Sequence, residues 1–332
     1  MDDPQRCLVL VLGDEASGAA ELAGTLATLG LRIPEADAAE RTPWLRDLHR
    51  ELLARADVAV DDARPSAWFA TGRLAHLEPL RKRVHDWLAA RFEADGPELV
   101  LHDPALVWFV GLWRSAALRA GAETSSVVLL RRPPDSAAPH AAVRASGAPD
   151  PDAVAAAASW LNLATHAEKA TRGAPRAFVL RDELAADWTV PVSAVGERLG
   201  LPAVQDAEAN AIRAVHSYLR DRFDRREPAE LPDAVAALVD RAWEALSALA
   251  VGADDLDRLD AVRADYLAHY DAAAAFARSS IEAARRAGGA GRAPQPSNPR
   301  AADRVPHAVR AAVPPGLRRG LRSLAGRRRD RP

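Results

Sequence analysis

The 332-residue sequence has few of the residues that build disulfides or cross membranes. Its single cysteine, Cys7, excludes a disulfide framework and a cysteine-based zinc site. No run of about eighteen apolar residues is present, and this excludes a membrane-spanning helix. The first residues carry no basic region ahead of an apolar run, so no secretory signal is predicted. No His, Asp or Glu spacing is typical of a metal site. The sequence therefore predicts a cytoplasmic protein without a metal.

Lysine is also scarce, because all but two of the 44 basic residues are arginine. The formal net charge is only −2, but the charge is unevenly distributed. From Arg285 onward, thirteen arginines stand against two aspartates, a local net charge of +11 that leaves −13 for residues 1–284. An acidic body with a basic tail predicts an anionic partner for the tail, either a membrane surface or another polyanion.

Residues 315–329 combine this positive charge with a narrow apolar stripe of Leu317, Leu321 and Leu324. Such a segment resembles an interfacial anchor, which would place the protein at the inner face of a membrane. Nucleic acid is the competing partner, but no aromatic residues are interleaved with the arginines and no known DNA-binding module supports it. A solvated, disordered tail without a partner explains the pattern equally well.

Apolar runs of strand length alternate with amphipathic segments through the first two thirds of the chain. The predicted strands cover residues 8–12, 99–101, 127–130 and 177–180. The predicted helices cover residues 22–29, where Gly30 ends the pattern, and 43–56, 74–92, 106–120 and 152–169. Strands that alternate with helices predict the α/β class, with a mostly parallel sheet covered by helices on both faces.

Polar and charged residues directly follow three of the predicted strands. Gly13 follows the first strand, His102 and Asp103 follow the second, and Arg131 with Arg132 follow the third. Because the carboxyl ends of parallel strands meet at the edge where α/β proteins bind ligands, we expect these residues to converge. Two guanidinium groups suit bidentate phosphate binding, although an ion pair with the acidic body explains them equally well.

Residues 13–18, here named the glycine loop, have the glycine spacing of a phosphate-binding turn. Gly13 and Gly18 bracket the loop, and its backbone N–H groups would point at an anion at the helix N-terminus. Asp14 and Glu15 place negative charge in the same turn. The competing interpretation is a simple turn that starts the helix, with Ser17 as the N-cap and Gly18 as a spacer.

The order of these segments resembles the bacterial, actinobacterial-type sulfotransferase family, which transfers sulfate from 3′-phosphoadenosine 5′-phosphosulfate (PAPS). The first loop of that family has the form G-x-x-R-S-G-T-S/T, of which Gly13, Ser17 and Gly18 match here. The resemblance spans roughly residues 7–202. Its further segments are 101–105, 112–114, 128–133, 181–184 with 187–188, and 199–201.

This resemblance implies a P-loop-like fold and a PAPS-dependent enzyme that sulfates a hydroxyl of a glycan, lipid or small metabolite. The glycine loop would bind the 5′-phosphosulfate, and Arg131 and Arg132 would hold the 3′-phosphate. His102, at a position where the family usually has lysine, would assist proton transfer to or from the acceptor. The competing interpretation of His102 is a turn histidine beside Asp103, which caps the next helix.

Several positions depart from the family pattern. Ala16 stands where a cation should meet the phosphosulfate, and Ala19 and Ala20 stand where hydroxyls should. Pro139 replaces the serine that meets the 3′-phosphate. These departures support an alternative function, a catalytically inactive binding or scaffold protein held at the membrane surface by its basic tail.

Beyond residue 228 the pattern contains helices alone. The sequence predicts a sulfotransferase-like α/β domain over residues 1–228 and a helical extension packed on it over 229–286. Residues 287–332 are predicted to form a Gly/Pro-rich linker and the Arg-rich tail. Three histidines are expected at the surface: His49, His76 and His166. Four tryptophans are expected in the core or at an interface: Trp68, Trp108, Trp113 and Trp160.

Overall fold

A computed structural model describes residues 6–36, 42–133, 151–223, 230–253 and 256–289. The chain divides into two compact units, Met1–Arg263 and Ala264–Pro332. The domain boundaries predicted at residues 228 and 286 stay predictions. The basic tail, and the linker beyond residue 289, lie outside the described residues. None of the described helices is both long and apolar enough to cross a bilayer.

The described part of the first unit contains a four-stranded sheet in which every pairing is parallel. Its strands are β1 (Arg6–Leu12), β2 (Glu98–His102), β3 (Ala122–Leu130) and β4 (Arg176–Leu180). The strand order is β2-β1-β3-β4, so the first strand of the chain lies inside the sheet. The predicted α/β class with a parallel sheet is therefore confirmed.

Helices connect the strands and follow the last of them. They are α1 (Ala19–Leu29), α2 (Pro43–Ala56), α3 (Ala67–Leu74), α4 (Glu78–Asp95), α5 (Val110–Arg119), α6 (Pro151–Thr171), α7 (Arg181–Ala186), α8 (Thr189–Leu199), α9 (Pro202–Gln205), α10 (Ala209–Leu219), α11 (Asp233–Ala250) and α12 (Leu256–Gly289). A short 3-10 helix over Leu106–Phe109 precedes α5.

Both faces of the sheet are buried, because successive side chains of a strand point to opposite faces. On one face, Val9 and Val11 of β1 belong to a core that includes residues of α1, α8 and α10. The alternate residues Leu8, Leu10 and Leu12 are fully buried on the other face. There α5 and α6 pack on β3, and α11 packs on β4. Each such buried leucine or valine contributes about 1.5–3 kcal/mol.

The predicted helix boundaries are correct where a proline or glycine marks them. Helix α2 covers the predicted residues 43–56, and α1 ends before Gly30 as predicted. The helix predicted over residues 74–92 is present as α4, but its predicted start is wrong, because Leu74 ends α3 and α4 begins at Glu78. Leu77 has an extended backbone and Pro79 lies in the first turn that follows it, so α3 and α4 are separate. Strand β3 also begins five residues before its predicted start at Val127.

Candidate functional site

The carboxyl ends of the parallel strands bring the predicted site residues to one edge of the sheet. The glycine loop follows β1, and His102 is the last residue of β2, paired with Val11. Arg131 and Arg132 follow β3, whose Val128 pairs with Leu12 of β1. The predicted convergence at this edge is therefore confirmed.

The glycine loop is closed by hydrogen bonds within itself. The Asp14 carbonyl oxygen accepts the Ser17 N–H at 3.1 Å and the Ser17 hydroxyl at 2.7 Å. The Asp14 carboxylate accepts the Ala16 N–H at 2.8 Å. Ser17 Oγ in turn accepts the Ala19 N–H at 3.3 Å. Three N–H groups that could have faced a bound anion are thus satisfied by oxygens of the loop.

Glycine is required at both ends of this loop. A Cβ on Gly13 would lie 2.3 Å from Ser17 Oγ, so the inward-turned hydroxyl fills the space above Gly13. Gly18 has a φ of 89° and is the N-cap of α1. The interpretation of Ser17 as the N-cap is therefore wrong, because the chain passes through left-handed Gly18 before the helix begins.

Asp14 is the main electrostatic feature of the glycine loop. Burial raises the pKa of Asp14 above its usual value, while the Ala16 N–H and the charges of Arg131 and Arg181 act in the opposite direction. Glu15, the other acidic residue of the loop, is exposed. The Asp14 carboxylate therefore lies within the loop, next to the backbone donors that would otherwise face a ligand anion.

The two arginines after β3 have different surroundings. Arg131 Nη1 donates to the carbonyl oxygen of Ala16 at 3.0 Å and so connects β3 to the glycine loop. Arg132 is exposed and forms an ion pair with Asp240 of α11. The interpretation of an ion pair with the acidic body therefore describes Arg132, while Arg131 is turned toward the loop.

Sequence reasoning did not identify Arg181 as a site residue. It is the first residue of α7, directly after β4, and only 7% of its surface is exposed. Its guanidinium lies 5.2 Å from the centroid of the Phe223 ring, and its charge acts on Asp14. Its position directly after a strand could have identified it as a site residue, because Arg131 was predicted from the same kind of position.

His102 lies at the same edge, turned toward β1. Its Nδ1 is 3.1 Å from the carbonyl oxygen of Val11, so Nδ1 carries the proton and donates it in this hydrogen bond. The role of His102 in proton transfer stays a prediction. The neighbouring Asp103 accepts the Ala105 N–H at 3.0 Å and so holds the turn that follows β2.

A buried chain of polar groups fixes Asp103. Trp113 Nε1–H donates to His49 Nε2 at 3.0 Å, and His49 Nδ1–H then donates to the Asp103 carboxylate at 2.7 Å. Burial alone would raise the pKa of Asp103, but the hydrogen bonds donated by His49 and by the Ala105 N–H bring it below its usual value. Asp103 is therefore held ionised by the helices behind the sheet edge.

The expected surface position of His49 is wrong, and that of His166 is not confirmed, because His166 is half-buried. His49 is 1% exposed, and its spacing from Leu45 and Leu52 on α2 was the signal that places it on the buried face. His166 of α6 stacks on Trp108, with ring centroids 5.3 Å apart. Burial lowers the pKa of His166 to about 4. Trp108 is buried as predicted, as are two further tryptophans, Trp113 and Trp160.

The space behind the glycine loop is small. A cavity of about 20 Å³ is lined by Gly13 and Asp14 at the loop and by Leu129, Trp160 and other apolar residues. This volume suits about one water molecule. Apart from this cavity, the satisfied N–H groups of the glycine loop and the Asp14 carboxylate beside them do not fit the 5′-phosphosulfate of PAPS. Pro139 lies outside the described residues, and among those described no three His, Cys, Asp or Glu side chains are grouped to hold a metal ion.

Comparison with known proteins gives one weak structural likeness. Neither a known family nor a curated protein matches the sequence. Among solved structures, the sulfotransferase domain of the Synechococcus PCC 7002 olefin synthase is similar at 15% sequence identity and a TM-score of 0.36. The match covers 72% of this chain and 96% of that domain. The strand order and pairing of this chain define its class, an α/β protein with a glycine loop at the carboxyl edge of a parallel sheet.

Proposed function

We propose that this chain is a catalytically inactive protein of sulfotransferase type that works as a binding or scaffold protein. The observation that carries the proposal is the inward Asp14 carboxylate, which accepts the Ala16 N–H inside the glycine loop. A phosphosulfate at this place would meet a like charge and lose backbone donors already in use. The native loop therefore holds an anion of its own instead of a cofactor.

The alternative function is a PAPS-dependent sulfotransferase that acts on a hydroxyl of a glycan, lipid or small metabolite. It is supported by the common position of the glycine loop, His102 and Arg131 at one sheet edge. It requires the Asp14 carboxylate to leave the loop before the cofactor binds. The two functions therefore differ in one measurable property, the affinity of the native chain for the adenine nucleotide.

A titration with 3′-phosphoadenosine 5′-phosphate, followed by calorimetry and thermal unfolding, tests the proposal. We expect no stabilisation of the native chain by millimolar nucleotide, whereas a ligand at 100 times its Kd would add about 2.7 kcal/mol. The Asp14→Ala variant should bind at least roughly tenfold more tightly, because it removes the like charge and frees the Ala16 N–H.

Glu15→Ala is the matched control, since it removes the same charge from an exposed neighbouring position. It should bind the nucleotide no better than the native chain. Adding Arg131→Ala to Asp14→Ala should abolish the gained affinity. Micromolar binding by the native chain would contradict the inactive assignment and favour the enzyme. If Asp14→Ala gains no affinity, the carboxylate is not what keeps the nucleotide out.

We also propose that the segment 315–329 holds the protein at an anionic membrane surface. Its six arginines would each contribute about 1 kcal/mol near such a surface. The full chain should co-sediment with phosphatidylglycerol vesicles but not with phosphatidylcholine vesicles. A truncation before Ala287 should not co-sediment with either, and salt at about 0.5 M should release the full chain. Salt-insensitive binding, or binding of the truncated chain, would contradict this proposal.

A further inference from the structure

The outer edge of β4 presents backbone groups away from the sheet. The Pro175 carbonyl accepts the Ser126 N–H of β3 at 3.0 Å, so by alternation Arg176 and Phe178 direct their backbone groups outward. The Arg176 carbonyl does point outward, because it accepts Arg198 Nε–H at 2.8 Å. Within the described ranges, no hydrogen bond to the N–H or C=O of Phe178 is present. An edge of this kind is a template for another strand.

A groove of about 850 Å³ runs along this edge, between α8 and the end of α11. We name it the β4-edge groove. Ala177 and Phe178 of β4 line it together with apolar residues of α8 and of the turn after α11. Two of these residues are unusually exposed for valines, Val190 at 68% and Val251 at 79%. The groove therefore offers an apolar surface beside an open strand edge.

The charged residues that line the groove are mostly acidic. Glu183 and Asp187 lie on and after α7, and Glu197 lies on α8; all three are exposed. The cation of the lining, Arg198, donates to the Arg176 carbonyl. An occupant with positive charge is thus complementary to the groove. A second copy of the chain, paired through its own β4 edge, would instead bring its three groove carboxylates close to these three, and like charges repel.

We propose that the β4-edge groove binds an extended, basic peptide segment of a partner protein, which adds a strand to β4. Main-chain hydrogen bonds to Phe178 provide the pairing, and side chains on alternate residues contact the apolar lining or the carboxylates. This site is separate from the glycine loop, because it lies along the side of the sheet and not at its carboxyl edge. Its occupation does not require a nucleotide.

A fluorescent peptide of sequence Lys-Val-Lys-Val-Arg-Val, capped at both ends, is the probe. Fluorescence anisotropy with the full chain should give a Kd on the order of 100 μM. The same peptide methylated on every backbone nitrogen should not bind, because it cannot donate to the strand edge. Hydrogen exchange at the Phe178 amide should slow when the unmethylated peptide is bound. No binding at about 1 mM, or equal binding of the methylated peptide, would overturn the proposal.

Charge reversal in the groove separates this site from general attraction of a basic peptide to an acidic protein. The double variant Glu183→Lys, Glu197→Lys should weaken peptide binding roughly tenfold or more. Asp182→Lys with Glu244→Lys is the matched control, since both residues are exposed and outside the lining, and it should bind normally. Equal weakening by both pairs overturns the proposal. A dimer in solution that the peptide does not dissociate would assign the groove to a second copy instead.

Discussion

Replacing Glu168 with glutamine is expected to lower the free energy of unfolding by about 3–5 kcal/mol. Glu168 of α6 is fully buried, and its carboxylate accepts two hydrogen bonds of 2.8 Å from Arg172. Arg176 Nη1 donates to the same carboxylate at 3.0 Å, and Arg263 lies 3.7 Å away. Without the negative charge, three neighbouring guanidinium groups repel each other in a poorly solvated place.

Urea unfolding at pH 7 measures this effect. Asp260→Asn is the matched control, because Asp260 bonds to Arg172 at the exposed end of the same cluster. We expect it to cost less than about 1 kcal/mol, as exposed ion pairs do. Glu168→Met, which also removes the charge, should be as destabilising as Glu168→Gln. A loss below about 1 kcal/mol for both Glu168 variants would mean that the cluster is solvated and contributes little.

The parts of the fold that the sequence predicted are those set by local patterns. Helix α2 begins at Pro43, where proline suits the first turn, and α1 ends at Gly30, where the chain takes a positive φ. The start of β3 could not be found, because Thr124, Ser125 and Ser126 interrupt the apolar run. These residues are ordered by pairing with β1, a contact with a part of the chain more than 100 residues away.

In the candidate site, too, the sequence predicted the location of the residues but not the contacts that depend on tertiary structure. Its location at the carboxyl edge followed from strand order, and Gly13, His102 and Arg131 lie there as predicted. The direction of the Asp14 carboxylate did not follow, since it depends on how the loop folds back on Ser17. The hydrogen bond of His49 to Trp113 likewise did not follow, since Trp113 lies on another helix.

The hydrogen bonds described at the carboxyl edge of the sheet join polar groups of the protein to one another. The glycine loop bonds to itself, Arg131 bonds to the loop, and His49 holds Asp103 at the neighbouring strand end. Groups that an enzyme would turn toward a substrate here stabilise one another. Three backbone N–H donors of the glycine loop are thus used within the protein, and whether freeing one of them allows anion binding is what the Asp14→Ala experiment measures.

His166 is expected to make the protein lose about 3 kcal/mol of stability as the pH falls from about 6.5 to about 4. Burial lowers the pKa of His166 from 6.5 to about 4, with the charges of Arg263 and Lys169 acting in the same direction and a hydrogen bond to the Val107 carbonyl opposing them. Within this pH range the unfolded chain binds a proton at His166 and the folded chain does not. The stability that depends on neutral His166 is therefore fully present above the pKa of the unfolded chain. It is lost as the pH falls from there through the pKa of His166 in the folded protein.

The measurement is the free energy of unfolding of the native chain and of His166→Phe, compared at several pH values between 4 and 7. Phenylalanine keeps a ring beside Trp108 and removes the titrating group. Carboxylates titrate equally in both proteins, including Asp14, whose raised pKa acts in the opposite direction, so their effects cancel in the difference. The native chain should become less stable relative to the variant as the pH falls. A difference that does not change with pH would show that His166 takes up its proton as easily in the folded protein as in the unfolded chain.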